Sequence, residues 1–270
     1  MKTMTLCRLS LCFVIPALAH AADGSTLVAT ADIDNAVIGE HVSHGGRQAT
    51  IIGHSDLTKA FDAVSQWTLV VAQENVTPSP DSTDDGGPLV VCLVKVLHPY
   101  CQGSGPFHLL DNRVVFADSD SSGPMLFLQT CGQRSVDGDC LIATVLYAYD
   151  RRADQFVPVF SNVTGHNNNQ ATRFVESGPL RGAVVVDEPA QSAPYTYWIE
   201  VFRPGTSGRY ARVLRYRGHT GYGDGNPLAV SDSEMPEILR RLGLWHPGDP
   251  LPVPHDGCTP EMRHGEEWCR

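Results

Sequence analysis

The sequence predicts a mainly β protein, a sandwich, barrel or propeller, on three observations. Apolar bursts are short, rich in β-branched and aromatic residues, and fairly evenly spaced from Arg47 onward. Gly, Pro, Asn and Asp cluster between them, as in Asp84-Asp85-Gly86-Gly87-Pro88, Ser121-Ser122-Gly123-Pro124, Asp137-Gly138-Asp139 and Ser177-Gly178-Pro179. Only one stretch carries a helical stripe.

In chain order, residues 1–22 read as an export signal. Lys2 and Arg8 precede the apolar run Leu11–Leu18, and the small residues Ala17, Ala19, Ala21 and Ala22 follow near a cleavage point. Residues 23–46 are mixed and polar, a loosely tied leading segment. The β domain, 47–245, is expected to place strands at Ala49–Ile52, Trp67–Ala72, Leu89–Val96, Arg113–Ala117, Met125–Leu128 and Leu141–Tyr149. Further strands are expected at Gln155–Phe160, Gly182–Val186, Tyr195–Phe202 and Arg209–Tyr216. Asn75–Pro88 is a long polar loop. The helix is expected at Glu234–Leu242, with Ser233 as N-cap, Pro236 in the first turn, and a stripe of Ile238, Leu239 and Leu242. The Pro-rich tail, 246–270, should lack regular structure and be closed by Cys258 and Cys269.

Charge and cysteines limit the function classes. The chain carries 20 Lys+Arg and 30 Asp+Glu, a formal charge of −10. Residues 1–22 hold two basic and no acidic side chains, so the mature chain stands at −12. That excess argues against binding through nucleic-acid phosphates, which relies on Lys and Arg. After the signal, no apolar run reaches the roughly 20 residues of a membrane span. Of eight cysteines, Cys7 and Cys12 leave with the signal. The remaining six fall in sequential pairs, Cys92/Cys101, Cys131/Cys140 and Cys258/Cys269. Fifteen connectivities are open, and local pairing is expected because turn residues lie between the members of each pair.

Enzyme signatures are missing. There is no GxSxG elbow, HExxH helix, GxGxxG turn or P-loop. His41 and His44 lie in a polar segment rather than on an expected helix, a poor metal pair. Asp187 and Glu188 are adjacent and would face opposite ways in a strand, so they read as a solvated turn rather than an acid–base dyad.

Three loops carry candidate chemistry. Asp118, Asp120 and Ser122 place oxygens at alternate positions before Gly123, the arrangement by which a calcium loop supplies its early ligands. Gln129 and Leu126 stand where later ligands would be needed, so a structural calcium there would be weakly held. The tip His166, Asn167, Asn168, Asn169 and Gln170 and the Gly-rich loop bearing His219, Tyr222, Asp224 and Asn226 are polar segments suited to recognition.

Several segments resemble a known family. They are Tyr147–Asn162 (YAYDRRADQFVPVFSN), Ser177–Gly182, Tyr197-Trp198 and the Tyr222–Pro236 stretch. Over about residues 89–243 they resemble periplasmic immunity proteins associated with the bacteria-killing type IV secretion system of Xanthomonas-type bacteria, with FG-GAP-like, propeller-like strands. The resemblance implies a periplasmic, non-enzymatic inhibitor of a lysozyme-like peptidoglycan hydrolase on a calcium-containing propeller-like scaffold. The expected fold is therefore mainly β, a propeller-like or barrel-like array of short antiparallel strands with one short C-terminal helix. Acidity suits this role, because a cationic wall hydrolase would be steered to an acidic blocker. The polar tips at His166–Gln170 and His219–Asn226 would hydrogen-bond the carboxyl pair such enzymes use. The alternatives are a secreted hydrolase with a non-local active site and a structural or adhesive calcium-binding β module.

Overall fold

The computed structural model describes residues 27–76, 87–101, 107–117, 123–132, 140–164, 171–190, 196–218, 221, 227–249, 260–263 and 266–269. Its order is a helix, twelve strands in three sheets, a second helix and a terminal hairpin. Sheet I holds β1 (Ala49–Asp56), β2 (Trp67–Glu74), β3 (Leu89–Lys95) and β4 (His98–Cys101). Sheet II holds β5 (His108–Phe116), β6 (Pro124–Cys131), β7 (Ile142–Asp150) and β8 (Gln155–Thr164). Sheet III holds β9 (Ala171–Phe174), β10 (Val184–Pro189), β11 (Tyr197–Pro204) and β12 (Tyr210–Arg217). Every sheet is an antiparallel meander in chain order, and none closes into a barrel.

The alternation of side chains explains how the sheets stack. In β6, Leu126 and Leu128 face one way and join Trp67, Leu69, Val71 and Val91 of sheet I. Met125 and Phe127 face the other way and join Phe174, Val184 and Val186 of sheet III. Sheet II is therefore the central layer, which is why β6 is apolar nearly throughout rather than alternating. Each of its fully buried Leu and Phe side chains contributes about 2 kcal/mol relative to an exposed position.

The outer faces of sheets I and III are covered by helices. Helix α1 (Thr30–Ser43) lays Ile33 and Val37 over Val70, Ala72, Val90 and Val94. Helix α2 (Pro227–Arg241) lays Val230, Ile238 and Leu239 over Val185, Ile199, Val201 and Tyr216. The order of packing is α1, sheet I, sheet II, sheet III, α2.

Several expectations are corrected. Two helices are present, not one short one. The leading segment holds α1, whose Ile33 and Val37 are buried although its other apolar residues are scattered around the helix. Helix α2 begins at Pro227, so Ser233 is no cap and Pro236 lies inside the helix. The proline leaves the carbonyl of exposed Asp232 without its usual donor, on the face turned to solvent. All ten expected strands occur, and β4 and β9 are added. In the tail, β13 (Pro260–Arg263) pairs with β14 (Glu266–Cys269), regular structure that its prolines were expected to prevent. Disulfides join Cys92 to Cys101, with Cα atoms 4.0 Å apart, and Cys131 to Cys140 at 5.8 Å. Cys258 lies outside the described residues. No helix among them is long and apolar enough to cross a membrane.

Candidate functional site

A cleft of about 520 Å³ opens where α2 crosses the end of sheet III beside the central sheet. Its floor is apolar: Phe174, Val175, Leu180, Met235 and Leu239. Ser177, Gly178, Pro179 and Leu180, from the Ser177–Gly182 segment that carries the resemblance, form one wall. Gly178 and Gly182 take φ values of 73° and 79°, a region costly for residues with a Cβ. Leu180 between them is buried beneath α2.

The rim is charged and braced. Arg113 donates from Nε to Glu176 at 2.9 Å, pairs with Asp111, and lies 4.8 Å over the ring of Phe127. Arg173 donates to Asp232 on α2 at 2.5 Å. Two guanidiniums thus meet three carboxylates, and each arginine has at least one partner outside its own strand, Glu176 for Arg113 and Asp232 for Arg173. Pre-organised charge of this kind is suited to binding, because less side-chain entropy is lost when a partner arrives.

Beneath the rim lies a buried acidic layer. Asp187 on β10 is 0% exposed and accepts the hydroxyl of Ser231 on its Oδ2, while its Oδ1 has no partner among the described residues. Burial pushes its carboxyl up to about 7. Ser231 and Arg173 pull it back, and Glu234 and Asp232 push it further up. One turn along α2, buried Glu234 accepts the phenol of Tyr216 at 2.8 Å. Burial, then that hydrogen bond, raises the Tyr216 phenol well above its ordinary range. Gly218 fits against the same carboxylate, where an added Cβ would come within 2.8 Å of Glu234 Oε1. Near the helix end, Glu237 is held down at about 2 by Arg240, with Arg241 assisting.

Few of these groups are marked by a local sequence pattern. Asp187 was expected in a solvated turn with Glu188, and it is instead inside the strand at the end of the buried run Ala183–Val186. The available signal was that run continuing into an acid without a turn residue between. Arg113, Arg173 and Asp232 are distant in sequence and had no local pattern. His41 lies on α1, not outside a helix, and meets Glu74 at 2.8 Å, while His44 caps the end of α1 and meets the Glu40 carbonyl at 2.9 Å, so the two are engaged separately.

The loop candidates fall outside the described residues: Asp118, Asp120 and Ser122; His166, Asn167, Asn168, Asn169 and Gln170; and His219, Tyr222, Asp224 and Asn226. Their connections are fixed by the chain. The first joins β5 to β6, the second joins sheet II to sheet III, and the third leads from β12 into α2. No protein-family model, curated protein or solved structure matches the chain.

Proposed function

We propose that the protein is a periplasmic, non-enzymatic inhibitor, an immunity protein that binds and blocks a cationic, lysozyme-like peptidoglycan hydrolase. The observation that carries this reading is the α2 cleft, whose apolar floor is rimmed by Arg113 and Arg173 and by the carboxylates that brace them, Glu176 and Asp232, with Asp111 behind Arg113. Such a cleft suits a projecting segment that offers an apolar side chain flanked by Lys or Arg. In this reading His219, Tyr222, Asp224 and Asn226, in the connection that leads from β12 into α2, supply recognition contacts. The net charge of the mature chain favours the encounter with a cationic enzyme.

The scaffold we read as propeller-like: three successive four-stranded meanders packed face to face, with a helix over each outer face. In this reading Asp118, Asp120 and Ser122 hold a weakly bound calcium in one interstrand loop. A melting temperature that is unchanged by chelator would remove that ion.

The test of function is binding and protection. The purified mature chain should capture the wall hydrolase encoded beside its gene and suppress lysis of peptidoglycan in stoichiometric amounts. A double variant, Glu176→Arg with Asp232→Arg, should weaken capture at least about tenfold. Failure to bind any such hydrolase overturns the reading.

A further inference from the structure

A second groove lies on the opposite side of the central sheet, along the seam between sheets I and II. It measures about 320 Å³, and four of its lining side chains are aromatic: Trp67, Tyr100, Tyr147 and Phe156. The sequence is 8% aromatic overall, so this concentration is local. Trp67 and Phe156 meet edge to face at 5.1 Å and form the rigid back wall. Tyr100 stacks on Trp67 with centroids 5.9 Å apart and planes at 27°, yet remains 59% exposed. Its strand, β4, is an edge strand pinned by the Cys92–Cys101 disulfide to the residue directly opposite. A flat ring is therefore presented to solvent on a support that cannot easily yield.

The polar part is built just as tightly. Asp154 sits at φ 49°, a left-handed backbone that only a few residue types tolerate. Its Oδ1 accepts Tyr149 at 2.5 Å and the indole N–H of Trp67 at 2.9 Å. Its Oδ2 accepts Ser65 at 2.5 Å and Lys95 at 2.7 Å. Lys95 also donates to the Asp154 carbonyl at 3.1 Å. The carboxylate is fully engaged by protein donors and has little left for a ligand. Lys95 spends two of its three N–H groups on Asp154, its acceptors among the described residues, and the third is open to a ligand. The groove thus offers a stacking face and a fixed donor.

We propose that this groove is a glycan subsite, in which Tyr100 is the stacking platform for one pyranose ring and Lys95 donates to a ring-substituent oxygen. A pyranose has one face of C–H groups and a rim of oxygens, which matches an exposed ring beside a donor. Purely apolar ligands would leave the Lys95 proton unused, and a free anion would not use the aromatic wall. The volume lies at the lower end of ligand pockets and suits one or two sugar rings. The subsite is separate from the α2 cleft and does not depend on the inhibitor reading.

The experiment is a titration of the folded protein with tetra-N-acetylchitotetraose and with maltotetraose, followed by tryptophan fluorescence and by amide chemical shifts. Saturable binding of either sugar is expected, with shifts at Tyr100, Lys95 and Gln155. Tyr100→Ala should lose at least about tenfold in affinity at an unchanged melting temperature, and Tyr100→Phe should retain binding. Absence of shifts with both sugars at millimolar concentration overturns the proposal, as does equal binding by Tyr100→Ala.

Discussion

Ser231 on α2 donates its hydroxyl to the carboxylate of Asp187 on β10, and both side chains are wholly buried between the helix and sheet III. This bond ties α2 to its sheet with a group that is costly to ionise. Asp187 therefore makes helix docking sensitive to pH. Its folded value of about 7 lies above its ordinary 3.8. Between those limits the folded state holds a proton that the unfolded chain has released, so the contribution of Asp187 to stability is greatest below about pH 4 and is lost as pH rises to 7. At about 1.4 kcal/mol per pH unit, the contribution is on the order of 4 kcal/mol. Urea unfolding at a series of pH values should show this loss, and Asp187→Asn should flatten it and match or exceed the parent at pH 8. An equally steep or steeper fall in the variant would show that Asp187 is not the group responsible.

Asp154 makes the opposite case. Burial alone would raise its carboxyl, but hydrogen bonds from Lys95, Ser65, Tyr149 and Trp67 outweigh that effect and hold it well below the usual carboxylate range. Its stabilisation is therefore present above the ordinary carboxylate pKa and is lost only as pH falls through its own low value. Asp154→Ala would leave the half-buried Lys95 ammonium and the Trp67 indole N–H without their shared acceptor, and should cost about 2 kcal/mol in urea unfolding at pH 7. Asp154→Asn keeps the shape and tolerates the left-handed backbone, so it should cost clearly less. Equal losses would mean that backbone geometry, not charge, is what Asp154 supplies.

These two acids also show what was legible in the sequence. Strand positions could be read because Leu126-Phe127-Leu128 and Val184-Val185-Val186 are β-rich runs between turn residues. The layering could not be read, because a run buried on both faces does not say which sheet covers which face. Asp154 has no sequence pattern, and the only mark of Asp187 is the apolar run that continues into it without a turn residue. Their partners are 44 and as many as 89 residues away, and a turn or strand composition is the same with or without those partners. The turn Ser177–Gly182 was noticed as a segment, but its reason is spatial.

That reason can be tested at Gly182. Its φ of 79° is compounded by crowding, since an added Cβ would fall 2.1 Å from the carbonyl oxygen of Ala117. The Gly182 carbonyl also accepts the Tyr210 hydroxyl at 2.7 Å, which ties the turn to β12. Gly178 has a similar φ of 73° but nothing within 4 Å of an added Cβ. Gly178→Ala should therefore cost only about 1 kcal/mol of conformational strain. Gly182→Ala must also displace backbone and should cost roughly 3 kcal/mol or more. Thermal unfolding of the two variants separates strain from collision, and similar melting temperatures would remove the collision.

Helix α1 provides the last prediction, because it was the element least visible in the sequence. Only Ile33 and Val37 of α1 are buried, yet they cover Val70, Ala72, Val90 and Val94, a face of sheet I that would otherwise meet water. Polar clasps hold the helix in register: Asp34 with His54 at 2.6 Å, and His41 with Glu74 at 2.8 Å. The backbone N–H of Val28 adds a bond to the Gln66 side chain at 2.8 Å. If packing is what matters, a charge at the helix centre should undock it while the clasps alone fail to hold. Val37→Asp would bury an unpaired carboxylate and should cost several kcal/mol. His41→Ala removes one polar clasp and should cost about 1 kcal/mol. Undocking exposes an apolar sheet face, so Val37→Asp should bind a hydrophobic dye and elute as larger species in size exclusion, and His41→Ala should do neither. Dye binding by His41→Ala equal to that of Val37→Asp would instead place the hold of α1 in its polar clasps.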